Sequence, residues 1–117
     1  MEKALLKKGD AVLIPDMDIT TSFFERFRGL MFKRSIPDGY GLLIRPCNQI
    51  HMMNMKFPLD VIYLSEENTV LHIDERIQPW KIGKTVKRAV CVVEVNAGTC
   101  AGIGLESGDC LTIEKNG

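Results

Sequence analysis

The densest collection of chemically capable side chains is Cys47-Asn48-Gln49-Ile50-His51-Met52-Met53-Asn54-Met55-Lys56-Phe57-Pro58. It gathers a thiol, an imidazole and three thioethers, soft ligands of the kind that suit Cu(I). Met also fills irregular gaps in cores and lines deformable binding surfaces. If the segment is extended, His51, Met53 and Met55 share one face and Met52 lies on the other. A metal site would then need a loop to bring Cys47 and Met52 together. Core packing, or an apolar pocket for a ligand or partner peptide, is favoured over metal, and no metal or other cofactor is expected.

Two carboxylates stand in apolar runs, Asp60 before Val61-Ile62-Tyr63-Leu64 and Glu94 between Val93 and Val95. Strand alternation puts Glu94 on the face of Val90 and Val92. A buried carboxylate is costly unless paired or hydrogen-bonded, and Arg28 and Arg45 are the partners expected for these two. The alternatives are a structural ion pair, a carboxylate that holds loop N–H groups, or an acid or base with a shifted pKa. Cys47 and His51 could meet across a turn, but no orienting group or oxyanion donor accompanies them in recognisable form. Gly98-Thr99-Cys100-Ala101-Gly102-Ile103-Gly104 has neither the order nor the Lys of a nucleotide-binding loop and reads as turn chemistry. Cys47, Cys91, Cys100 and Cys110 form no C-x-x-C pair and are expected to be reduced and inert.

These groups need elements to position them. Ser22 and Glu25 have capping-box spacing. Phe23, Phe27, Leu30 and Met31 recur as one apolar stripe, which predicts an amphipathic helix over 22–34. Gly29 inside it implies close packing. Ala11–Ile14, cut by Pro15, predicts an edge strand. Gly41–Ile44 and 110–114 read as strands, and 59–64 with 69–73 as a hairpin. Apolar on both faces except at Glu94, 89–95 predicts a central strand. Residues 99–103 predict a short helical turn. The expected fold is mainly β (α+β): a small β-barrel or sandwich-like domain over 1–117, with 1–8 and 115–117 loosely ordered.

The chain has 117 residues, 15 Lys+Arg and 15 Asp+Glu. Zero net charge argues against a nucleic-acid backbone binder or a polybasic membrane binder, and no apolar run is long enough for a membrane span.

Arg28-Gly29-Leu30-Met31, Gly41-Leu42-Leu43-Ile44, Ile50-His51, Met55-Lys56-Phe57-Pro58-Leu59-Asp60-Val61, Val70, Val93-Glu94-Val95-Asn96-Ala97-Gly98 and Gly108-Asp109 occur in an order that resembles the bacterial and archaeal domain-of-unknown-function family 192. The resemblance runs from about residue 20 to the C-terminus. It implies a compact β-rich fold with no established activity, and Arg28, His51, Met55, Asp60 and Glu94 as signature positions. Met52 and Met53 stand where the family often has Thr and an aromatic, which implies a more apolar, more deformable pocket. Many relatives carry an export signal; none is evident here, so a cytoplasmic location is expected. The leading expectation is a binding or accessory module for a small molecule, protein or peptide. Its candidate site is Arg28, His51, Met52, Met53, Met55, Asp60 and Glu94, in the 47–60 loop and beside the helix. The alternatives are an acid–base or hydrolytic enzyme using His51, Asp60 and Glu94, and a soft-metal binder. Oligomeric state is not legible.

Overall fold

In the computed structural model, which describes residues 1–116, the elements run β1 (Glu2–Lys8), β2 (Ala11–Ile19), α1 (Phe23–Arg28), β3 (Tyr40–Ile44), β4 (Leu59–Leu64), β5 (Val70–Ile77), β6 (Cys91–Asn96), α2 (Thr99–Gly102) and β7 (Thr112–Lys115). They form one seven-stranded sheet of order β5-β4-β6-β3-β2-β1-β7. Every pairing is antiparallel except β2 with β3, and that parallel pair uses the stretch containing α1 as its crossover. The sheet curls until its edges meet. Thr69 bridges Cys110, and backbone bonds from Val70 to Asp109, Gly108 to Val70 and Leu111 to Asn68 add to the seam.

Side-chain parity divides the apolar residues into two cores. Leu43, Ile62, Leu64, Cys91, Val93 and Val95 point to the barrel interior, with Ala4, Leu6, Ile14 and Met17 from β1 and β2. Leu42, Ile44, Leu59, Val61, Tyr63 and Val92 point outward and need a cover. No long helix supplies it. The cover consists of α1 with the chain to residue 36, the loop over 46–58 and the loop over 78–90, which contribute Leu30, Ile36, Met52, Met55 and Ala89 to the outer core. Hydrogen bonds join them: Phe32 N to Asn54 O, Trp80 N to Met52 O, Gly83 N to Ile50 O and Val86 N to Asn48 O.

Several expectations are met: the 59–73 hairpin, β6 as a central strand between β4 and β3, and the helical turn at α2. Others are corrected. The helix predicted over 22–34 ends at Arg28, because Gly29 adopts φ 50° and turns the chain away. Phe23 and Phe27, half of its supposed core stripe, are 74% and 61% exposed. Ser22 Oγ does cap Glu25 N, but the Glu25 carboxylate reaches back to Thr21 N rather than to Ser22. Residues 1–8 are no loose arm: they form β1, which buries Ala4 and Leu6. Lys115 belongs to β7, while Gly117 lies outside the described residues. The β2 strand is an interior one that runs through Pro15; the register shift between its Ile14 and Met17 partners absorbs the missing N–H in a bulge.

Asp60 is the polar exception inside the barrel. Fully buried, it accepts from Arg76 N at 2.9 Å with one oxygen, and from Gly98 N at 3.1 Å and Cys100 N at 2.9 Å with the other. Removing the carboxylate orphans three backbone donors. Asp60→Ala is therefore expected to lose about 3 kcal/mol or more of stability in urea unfolding. A loss below about 1 kcal/mol would contradict this role.

Candidate functional site

Across the sheet from Asp60, a cleft opens between the end of α1 and the 47–55 loop. Its walls include Arg28, Gly29, Cys47, His51 and Met55, and Glu94 lies among them. The cavity is small, about 60 Å³, with space for about four water-sized atoms.

Glu94 enters from β6, paired with Leu42 of β3 and Val61 of β4, both buried. It is 5% exposed, and its Oε1 has no hydrogen-bond partner. Burial pushes its pKa up to about 7, because an apolar surrounding disfavours the charged form. The expected arginine partner is not there: no ion pair joins Glu94 to Arg28 or Arg45 among the described residues, and Arg45 Nη2 lies 3.7 Å from Cys91 Sγ instead. Gly29 explains how the carboxyl is roofed. A Cβ there would stand 3.6 Å from Glu94 Oε1, and its left-handed φ disfavours any side chain. Near neutral pH the carboxyl can donate through its O–H and accept through its carbonyl.

The sequence-derived residues separate. Arg28, His51, Met55 and Glu94 line the cleft. His51 is exposed, accepts from Met53 N through Nδ1 at 3.3 Å, and forms a bridge with Ile82. Met52 is fully buried in the outer core, and Met53 projects into solvent at 49% exposure. Asp60 faces the barrel interior, so β4 parity separates it from Glu94 and His51. The loop is not extended, which is why Met52 and Met55, expected on opposite faces, join the same core. Cys47 lines the cleft, donates to Gln49 O at 3.1 Å, and is held neutral by burial, which raises its pKa. A second concavity of about 530 Å³ at the barrel mouth is lined by Thr20, Arg45, Asn68 and Lys115, and by none of the signature residues.

One polar network was missed. Asp74 accepts from Tyr63 Oη at 2.8 Å and meets His72 Nε2 at 2.7 Å. A Cβ on Gly83 would fall 2.7 Å from Tyr63 Oη and 2.8 Å from Asp74 Oδ2, so only glycine lets the 78–90 loop pass. The alternating pattern of β5, which puts His72 and Asp74 on one face, was the available signal.

Glu94 makes stability depend on pH with a definite sign. Below pH 4.5 the carboxyl is protonated in both folded and unfolded chains and costs nothing extra. As pH rises through 4.5 to about 7, the unfolded chain ionises first and the fold loses stability, by about 3 kcal/mol in all. Glu94→Gln should remove that slope. Its stability advantage over the parent in urea unfolding should grow between pH 4 and pH 8, and a pH-independent difference would contradict the assignment.

The fold and sequence have known counterparts. A protein of unknown function from Novosphingobium aromaticivorans superposes with a TM-score of 0.82 at 22% identity, over 94% of this chain and 83% of that one. A Sinorhizobium meliloti protein named as a candidate transcription regulator gives 0.80 at 25% identity, over 96% of this chain and 92% of that one. The UPF0127 protein of Thermococcus sibiricus is 32% identical over 97 residues, which are 78% of this chain but only 61% of that relative. The domain-of-unknown-function model DUF192, described as "Uncharacterized ACR", matches residues 4–113, and the chain belongs to that family.

Proposed function

We propose that this chain is a binding module whose site is the cleft between α1 and the 47–55 loop. The observation that carries this reading is the unpartnered Oε1 of Glu94, a buried oxygen with unused hydrogen-bonding capacity among the residues that line the cleft. The small cavity limits what enters to one compact group, such as the tip of a peptide side chain or a small molecule with a single polar end. Ile44, Ile50 and Met55 supply apolar contact, Glu94 the hydrogen bond, and Arg28 and His51 a polar rim.

A second reading, general acid–base catalysis, draws on the raised pKa of Glu94 and the presence of His51 on the same cleft. Asp60 takes no part in it, being engaged with three backbone donors. Cys47 is a poor nucleophile as a neutral thiol.

A fragment screen by protein NMR with labelled methionine methyls and imidazole tests the binding reading. Shifts should cluster on Met31, Met55 and His51, leave the Met17 methyl unmoved, and weaken in Glu94→Gln. Hits scattered over the surface, or none at the cleft, would sink the proposal. Turnover lost in Glu94→Gln while binding persists would favour the catalytic reading.

A further inference from the structure

Charge is unevenly distributed over this neutral chain. The three covering segments, 23–36, 46–58 and 78–90, hold nine of the 15 Lys and Arg residues and one of the 15 acidic residues, Glu25. That single acid is matched by the N-terminal ammonium at 3.1 Å. None of the nine cations forms an ion pair among the described residues, whereas Lys3, Lys7, Lys8 and Lys115, outside the cover, all do. Eight of the nine are exposed, Arg26 alone being half-buried.

The same segments carry seven of the nine large hydrophobic side chains left exposed: all three phenylalanines of α1, with Phe32, Met53, Trp80 and Ile82. The last four surround one turn. Phe32 N bonds Asn54 O, Trp80 N bonds Met52 O, and Ile82 pairs with His51. Phe32 and Trp80 both have φ 70°, a costly conformation for a bulky residue. Large apolar groups on a rim of unpaired cations mark an interaction surface.

We propose that this face docks on an anionic lipid bilayer, a proposal that stands apart from the cleft's ligand. The apolar groups protrude: the cleft beside them is small, and a wider, open concavity of about 360 Å³ in the same cover is lined by Pro46, Cys47, Asn48, Ala89 and Val90, none of them among the exposed large apolar groups. A protein partner would need a matching groove for each projecting side chain, whereas a bilayer interface admits them without one, while Lys and Arg meet the headgroups. For nucleic-acid bases only Phe24, Phe32 and Trp80 are open rings, because Phe23 and Phe27 face each other at 6.3 Å, Arg26 covers the Phe23 ring at 5.9 Å, and Met53 and Ile82 offer no ring to stack on. Zero net charge does not oppose docking. The molecule measures 35 × 28 × 26 Å, so acids on the far side lie beyond the Debye length of about 8–10 Å.

The test floats the full chain with phosphatidylcholine vesicles, with or without phosphatidylglycerol, while following the fluorescence of Trp80, the single tryptophan. Expected are association with the phosphatidylglycerol vesicles only, weakening with added salt, and a blue shift of Trp80 emission. Lys81→Ala with Lys84→Ala should weaken association by about 30-fold. Ile82→Ser with Phe32→Ser, at exposed positions, should weaken it while urea unfolding stays unchanged. Glu94→Gln should leave it intact, which separates this proposal from the cleft reading. No association, association without a Trp80 shift, or full binding by the Ile82/Phe32 variant would overturn it. So would binding of a DNA oligonucleotide or an acidic peptide by a chain that ignores both vesicles.

Discussion

Asp60 is a carboxylate in a barrel interior that otherwise holds apolar side chains, and the β5 bulge and the seating of α2 both depend on it. Its neighbour β5 carries one residue more than β4 between the Leu59–Ile77 and Val61–Asp74 pairs. The bulge frees the N–H of Arg76, which has φ 52°, from the ladder, and Asp60 accepts it. Its other oxygen caps α2, whose N-cap residue, Gly98, supplies no side-chain cap. A four-residue helix cannot hold itself together. Tied to Asp60, it seats Cys100 in the interior core beside Leu105. One side chain thus joins β4, β5 and the α2 plug, and its burial is tolerable because both oxygens are engaged.

Glu94 poses the same problem one strand away and on the other face. Val61, the residue after Asp60, pairs with Glu94, so parity alone sends the two carboxylates to opposite sides of the sheet. The interior face surrounds its acid with backbone donors. The outer face covers its acid with Gly29, Ile44 and Met55 and leaves one oxygen free. The first arrangement holds the fold together. The second leaves chemistry available at a surface, with a protonation state that changes near neutral pH.

How much of this was legible depended on whether a pattern marks where a side chain goes or only that it is apolar. β4 and β6 were readable because strands buried on both faces are dominated by Val, Ile and Leu. Alternation placed Glu94 on the face of Val92, although Val90, counted with them, lies before β6 and packs against the interior core. β1 was not readable. Its Glu2, Lys3, Lys7 and Lys8 look like a tail, and only Ala4 and Leu6 turn inward. The α1 stripe misled for the converse reason: helical periodicity shows that one face is apolar, not that anything covers it. In the candidate site, Arg28, His51, Met55 and Glu94 converge as a signature set, while Asp60 and Met52 drop out through strand parity and loop path, which spacing does not encode. The charge balance was true as a sum and silent about its segregation into the cover.

The seam between β5 and β7 has a consequence for how the molecule opens. Elsewhere each junction is a ladder of at least four paired residues, but here one bridge and three backbone bonds close the cylinder. A cylinder with one weak join parts there first, well below the energy of global unfolding. Amides of Val70, Gly108 and Leu111 should then exchange with deuterium earlier than those of β6. What that opening bares is a pair of unsatisfied strand edges, the geometry that lets copies of a β-protein add to one another. Edge-to-edge association of this kind would start at the seam that the Thr69–Cys110 bridge closes.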